Sequence, residues 1–259
     1  MTSVRKEKYG KINRDKVLGF TWDNKEYFGY EGDSLASALL ANNIKIVGRS
    51  FKYHRPRGVM SCGVEESGAL VTIGSGSKAD PNVRATTQEL YSGLIAKGQN
   101  AFPNVNYDFG GINNYLSRFF AAGFYYKTFM GLPPFEWGKG TGIWMIFEKI
   151  IRKAAGMGKA SREPDPDNYE HANDFCDVLV VGSGPAGIAA AQEAANKKLD
   201  VILIEQDSLL GGNNLSEAEF DASLLQNQLE SSGIRVMSRT TAFGFYDNTV
   251  VGALERVTD

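Results

Sequence analysis

The sequence has 259 residues, 42% of them hydrophobic, and its 28 Lys and Arg against 30 Asp and Glu give a formal charge of −2. That length accommodates one large or two modest domains with a proper core. Near-neutrality excludes the general basic field of a nucleic-acid binder, and the most apolar windows, Phe119 to Leu132 and Thr141 to Ile151, are charge-interrupted and too short to span a bilayer.

Met1 to Lys16 is dense in charge and reads as a polar arm. Val17 to Trp22 and Lys25 to Tyr30 flank the turn signal Asp23-Asn24 and predict a β-hairpin. Asp33 or Ser34 then caps a helix whose apolar face is Leu35, Ala36, Leu39 and Leu40, ending at Asn42-Asn43. Hairpin and helix resemble a β-grasp ferredoxin-like domain, which we place at residues 17–90, with a strand at Ala69 to Ile73 and a turn through Asp80-Pro81.

Between them lies GRSFKYHRPRGVMSCG, residues 48–63, in which Arg49, Lys52, His54, Arg55 and Arg57 alternate with Phe51 and Tyr53. Guanidinium groups fork onto phosphate and carboxylate alike, so this loop is either a specific anion or partner contact or a solvated basic surface. His54 and His171 stand far apart, and no metal site is assigned to them. An iron–sulfur cluster needs four ligands, commonly several cysteines of one loop, and this loop has Cys62 alone. We therefore expect no iron–sulfur cluster and read Cys62 as a buried thiol, the alternative being a reactive one.

Residues 91–172 hold an aromatic-rich segment, including a helix predicted over Ile143 to Ala155, and a polar linker. The aromatic density suggests an interface with another domain or subunit. From residue 173 onward the pattern becomes strand, turn, helix, strand. Val178 to Val181 meets Gly182, Gly184 and Gly187 in G-x-G-x-x-G spacing, an alanine-rich helix follows, and Val201 to Ile204 is a second strand ending at Glu205. The first glycine makes the turn, the second leaves room for a pyrophosphate, and the third lets helix and strand pack closely. Glu205, 18 residues beyond Gly187, is placed to accept hydrogen bonds from ribose hydroxyls and to repel a 2′-phosphate. The candidate cofactor-binding set is Gly182, Ser183, Gly184, Pro185, Ala186, Gly187, Glu205, Gly211 and Gly212. FAD and NAD both fit this local pattern. A helix over Ala218 to Ser231 and strands at Ile234 to Met237, Thr240 to Tyr246 and Thr249 to Val257 complete an unfinished Rossmann-type domain at residues 173–259. No catalytic residue is assigned.

The succession EGDSLASALLANN, GRSFKYHRPRG, AGFYYKTF and DVLVVGSGPAGIAAA resembles the N-terminal part of the alpha subunits of heterotetrameric sarcosine oxidases. Cys62 and Cys176, far apart and with nothing like a secretory signal before them, make a cytoplasmic setting the default; the resemblance implies an oxidoreductase that converts sarcosine to glycine with O2, giving hydrogen peroxide and passing a one-carbon unit to tetrahydrofolate. It implies partner beta, gamma and delta subunits, FAD and FMN elsewhere in the complex, and NAD on the glycine motif of this chain. Other classes left open are a subunit of an FAD-dependent opine or amino-acid oxidoreductase, and a non-catalytic assembly subunit with a structural dinucleotide.

Overall fold

A hairpin turn fixed by its own two residues starts the first unit. Strands β1 (Asn13–Trp22) and β2 (Lys25–Glu31) are joined by Asp23 and Asn24, whose φ angles of 47° and 65° are those of a two-residue type I′ turn. With Trp22 opposite Lys25 and Val17 opposite Tyr30, the alternation sends Leu18, Phe20 and Trp22 into the core. They are covered by helix α1 (Leu35–Ala41), whose N-cap Ser34 accepts from Ser37 N at 3.2 Å. Buried Asp33 ties hairpin to helix: it accepts from Tyr30 N at 2.9 Å and Ser37 Oγ at 2.6 Å, and pairs with Arg5.

This computed structural model describes residues 4–6, 10–117, 148–149, 152, 158–217 and 219–257, and the chain divides into units of residues 1–166 and 167–259. The predicted aromatic interface at Phe119 to Leu132 lies outside the described residues. So does most of the helix predicted over Ile143 to Ala155, of which Glu148, Lys149 and Arg152 are helical.

A short ribbon, β3 (Gly48–Arg49) with β4 (Pro56–Arg57), precedes β5 (Leu70–Ile73), β6 (Asp80–Arg84) and β7 (Ile95–Gly98). The main sheet has the order β2-β1-β7-β5-β6, with β1 and β7 parallel and the other pairs antiparallel. Two expectations change here. The predicted arm gives up its last residues to β1, because Asn13 and Lys16 both bond Glu31 across the hairpin. The boundary at residue 90 cuts off β7, a central strand, together with the buried side chains Leu94, Ala96 and Val105 that complete the core. After β7 the chain turns tightly enough that a Cβ on Gly98 would lie 2.1 Å from Val105, and it closes with helix α2 (Ile112–Tyr115).

The segment from Met60 to Ala69 is organised by one buried carboxylate. Glu66 accepts from Met60 N at 2.7 Å, Ser61 N at 2.8 Å, Ala69 N at 3.1 Å and also from Gly68 N. Cys62, expected to be a buried thiol, is exposed, since these bonds draw Glu66 rather than Cys62 to the inside.

The second unit has parallel strands β8 (Val178–Val181), β9 (Val201–Ile204) and β10 (Arg235–Met237) in the order β10-β9-β8, the order of the first half of a doubly wound sheet. Helix α3 (Pro185–Asn196) crosses from β8 to β9 and buries Ile188, Ala191 and Ala194. Helix α4 (Ala222–Ser231) leads into β10. It starts later than predicted because Asp221 caps it, accepting from Ser223 N at 2.9 Å and Leu224 N at 3.1 Å, while Gly212–Ser216 forms a 3₁₀ turn. An antiparallel hairpin, β11 (Thr240–Tyr246) and β12 (Val250–Glu255), ends the unit. No helix among the described residues is long and apolar enough to cross a membrane.

Glu66 generates a stability prediction. Burial raises its carboxyl pKa, but the bonds from Ser61, Gly68, Met60 and Ala69 outweigh burial and hold it below the usual range. A depressed carboxyl contributes stability above its unfolded pKa and loses it as pH falls through the folded value. Glu66→Gln removes the charge, and hydrogen bonds to charged groups contribute about 1.5–3 kcal/mol each. Denaturant unfolding at pH 7 is expected to show a loss of at least that size, shrinking toward pH 3, whereas an equal loss at both pH values would contradict an ionised Glu66.

Candidate dinucleotide site

The turn after β8 is built from residues that leave space. Gly182 has a φ of +93° and donates its N–H to Ile204 O at 2.8 Å, which pins the turn to the end of β9. A Cβ on Gly182 or Gly184 would meet nothing within 4 Å, so both face open space. At Gly187 the opposite holds: a Cβ would lie 2.0 Å from Gly182 O, so only glycine lets α3 pack against the turn. Gly184 is the N-cap of α3, Pro185 and Ala186 begin its first turn, and the helix contributes a positive dipole end there.

Ser183 joins three segments. It is fully buried; its N and Oγ donate to Glu205 Oε2 at 2.7 and 2.6 Å, and its Oγ accepts from Gly211 N at 3.0 Å. Glu205 Oε1 accepts from Asp207 N at 3.0 Å. Gly211 and Gly212, with φ of +125° and +54°, bring the second turn so close that a Cβ on Gly212 would sit 3.1 Å from Gly184 Cα. The nine sequence-predicted residues therefore come together at one end of the sheet. The expectation for Glu205 needs refinement: three of the roughly four acceptor positions of a carboxylate are taken by the protein. One acceptor position is left over.

Asp207 was not singled out in the sequence. Its carboxyl pKa is pushed up to about 6, by burial first and by the Glu205 charge second, with Arg256 opposing. The neighbourhood of an acid at the end of β9 was the one signal available for it.

Among the remaining candidates, Arg49 turns inward, donating from Nε at 2.8 Å and Nη2 at 2.6 Å to Val105 O and from Nη1 to His54 O at 3.2 Å. His54 Nδ1 lies 2.7 Å from Asp108 Oδ2, a structural role. Among the described residues no group of three or more His, Cys, Asp or Glu is placed to hold a metal ion.

The raised Asp207 carboxyl carries a pH prediction. In the folded protein it holds its proton between the ordinary carboxylate range and about pH 6, so stability falls as pH rises through that window and the cost is complete above it. Asp207→Asn is expected to raise the melting temperature at pH 8 and to leave it unchanged at pH 4. A gain of equal size at both pH values would contradict this account.

Comparison with known proteins extends the site. Residues 15–101 match the family model of 2Fe-2S iron-sulfur cluster binding domains, and residues 177–246 that of FAD dependent oxidoreductases. The first match overturns the expectation of no iron–sulfur cluster, which rested on the count of cysteines in one loop. The residues present do not fit a four-cysteine set, because Cys62 is the one cysteine of the first unit and the amides around it bond Glu66. The second match names FAD, and neither match supports NAD on this chain. The Rhizobium meliloti (strain 1021) sarcosine oxidase subunit alpha is 49% identical over 266 residues, covering 99% of this chain and 26% of that protein. Its counterpart from Corynebacterium sp. (strain U-96) is 29% identical over 261 residues, covering 96% and 21%. A crystal structure of L-proline dehydrogenase from P. horikoshii aligns with a TM-score of 0.48 at 19% identity, covering 94% of this chain and 38% of that one, too loosely to carry detail. Over nearly its whole length the chain is a homologue of sarcosine oxidase alpha subunits, of whose length it spans about a quarter.

Proposed function

We propose that the second unit holds the ADP half of a dinucleotide, within the alpha subunit of a sarcosine-oxidising complex. The observation that carries this reading is the open space at Gly184, on the N-terminus of α3 and bordered by Gly212. A pyrophosphate there meets unpaired helix N–H groups and the positive dipole end without a side chain in the way. Glu205, locked by Ser183, offers its remaining acceptor position to a ribose hydroxyl. FAD, the cofactor in the description of the matching family, is the first candidate, and NAD shares the same ADP half. When bound, such a cofactor supplies a ring that accepts a hydride, while the residues of this chain bind and orient it.

For the whole subunit, the relatives' names support oxidation of sarcosine, while glycine and hydrogen peroxide as products and transfer of a one-carbon unit to tetrahydrofolate rest on the motif resemblance alone. The same names place the relatives in a complex of several subunits, and beta, gamma and delta partners rest on the motif resemblance. The part read for this chain itself is cofactor binding and assembly, with the hydride chemistry carried by the cofactor.

Calorimetry with ADP, FAD and NAD tests the site and separates the two cofactors. Gly184→Val fills the open space without a backbone clash, so it is expected to weaken binding at least tenfold while the melting temperature holds. Equal binding by wild type and variant would remove the turn from the site. In a parallel assay, these 259 residues alone are expected to form no peroxide from sarcosine, and sustained formation would contradict the division of labour.

A further inference from the structure

The basic loop of the first unit lines a cleft of about 620 Å³ between the β3–β4 ribbon and the start of β5. Lys52, Arg55 and Arg57 face it together with Phe51 and Tyr53, the inward-turned Arg49 also lines it, and no acidic side chain is among its lining residues. Lys52 Nζ lies 5.1 Å and Arg55 Cζ 4.8 Å from the centroid of the same Tyr53 ring, so two like charges converge on one aromatic group. Among the described residues none of the four cations meets a carboxylate. Asp108, the acid packed behind the loop, is spent on His54, Phe102 N and Gly110 N.

The loop is held in place for this arrangement. Arg49 reaches Val105 O, and Arg55 Nε donates to Asn114 Oδ1 at 2.9 Å. These bonds tie it to the segment from Phe102 to Tyr115, whose Phe102, Phe109, Ile112 and Tyr115 are exposed. Arginines beside exposed aromatics are the composition of protein interfaces.

We propose that this cationic cleft docks an acidic segment of a partner protein chain. A small phosphate ligand is less well served. Phosphate sites recruit backbone N–H groups, and here those of Arg49, Ser50, His54, Arg55 and Gly68 are consumed by Gln99 O, Arg55 O, Ser50 O, Ser50 Oγ and Glu66 respectively. What predominates is a row of side-chain cations flanked by apolar groups, which suits carboxylates carried along a peptide.

The test uses the 259-residue chain and a fluorescent hexaglutamate peptide at low salt. Binding is expected to weaken at least tenfold in Arg55→Glu/Arg57→Glu and less than twofold in Lys25→Glu, a reversal on the hairpin, with melting temperatures confirming that each variant is folded. Carbodiimide coupling of the peptide, which joins a bound carboxylate to a nearby amine, should mark Lys52 ahead of the other lysines by mass spectrometry. Absent binding, equal weakening by the control, or coupling spread evenly over the lysines would overturn the proposal. Inorganic pyrophosphate binding more tightly than hexaglutamate, and depending on the same arginines, would overturn it in favour of a phosphate ligand.

Discussion

The bond pair from Ser183 to Glu205 is the constraint on which the second unit depends. A buried carboxylate is costly unless donors surround it. Glu205 finds those donors in the glycine turn after β8 and in its own following residues. Ser183 then accepts from Gly211, so one hydroxyl links the turn, the end of β9 and the second glycine pair. Gly184 can present open space because the residue beside it is fixed; a mobile turn would lose the preorganisation that ligand binding rewards.

The first unit uses the same device for a different purpose. Glu66 gathers four backbone N–H groups, and Asp33 gathers Tyr30 N, Ser37 Oγ and Arg5. Both carboxylates sit where irregular chain must enter a core built from short strands, and each replaces hydrogen bonds that the sheet cannot supply. The fold belongs with cluster-binding domains, yet the loop carrying Cys62 takes its shape from a carboxylate.

The hairpin, α1 and the glycine turn were legible because each rests on local rules: Asp23-Asn24 for the turn, Ser34 for the cap, and three glycines in fixed spacing. Strand β7 was not, since four residues with one fully buried side chain carry no periodicity, and its place is set by distant partners in β1 and β5. Glu66 was invisible for a related reason, as its partners are backbone groups that every residue possesses. Arg49 read as part of an outward basic loop, but Val105 O, 56 residues away, draws it inward. The count of cysteines in one loop is a local signal and does not reveal the likeness to cluster-binding domains, which is spread over residues 15–101.

In our proposal the two glycine turns held together by Ser183 and Glu205 form one nucleotide site. Amide hydrogen exchange with and without saturating ADP tests it most directly, because it reads the turns themselves. Slowing of exchange is expected to concentrate in peptides covering Gly182 to Ile188 and Gly211 to Ser216. Unchanged exchange in both segments on ADP binding, or protection confined to the first unit, would contradict it.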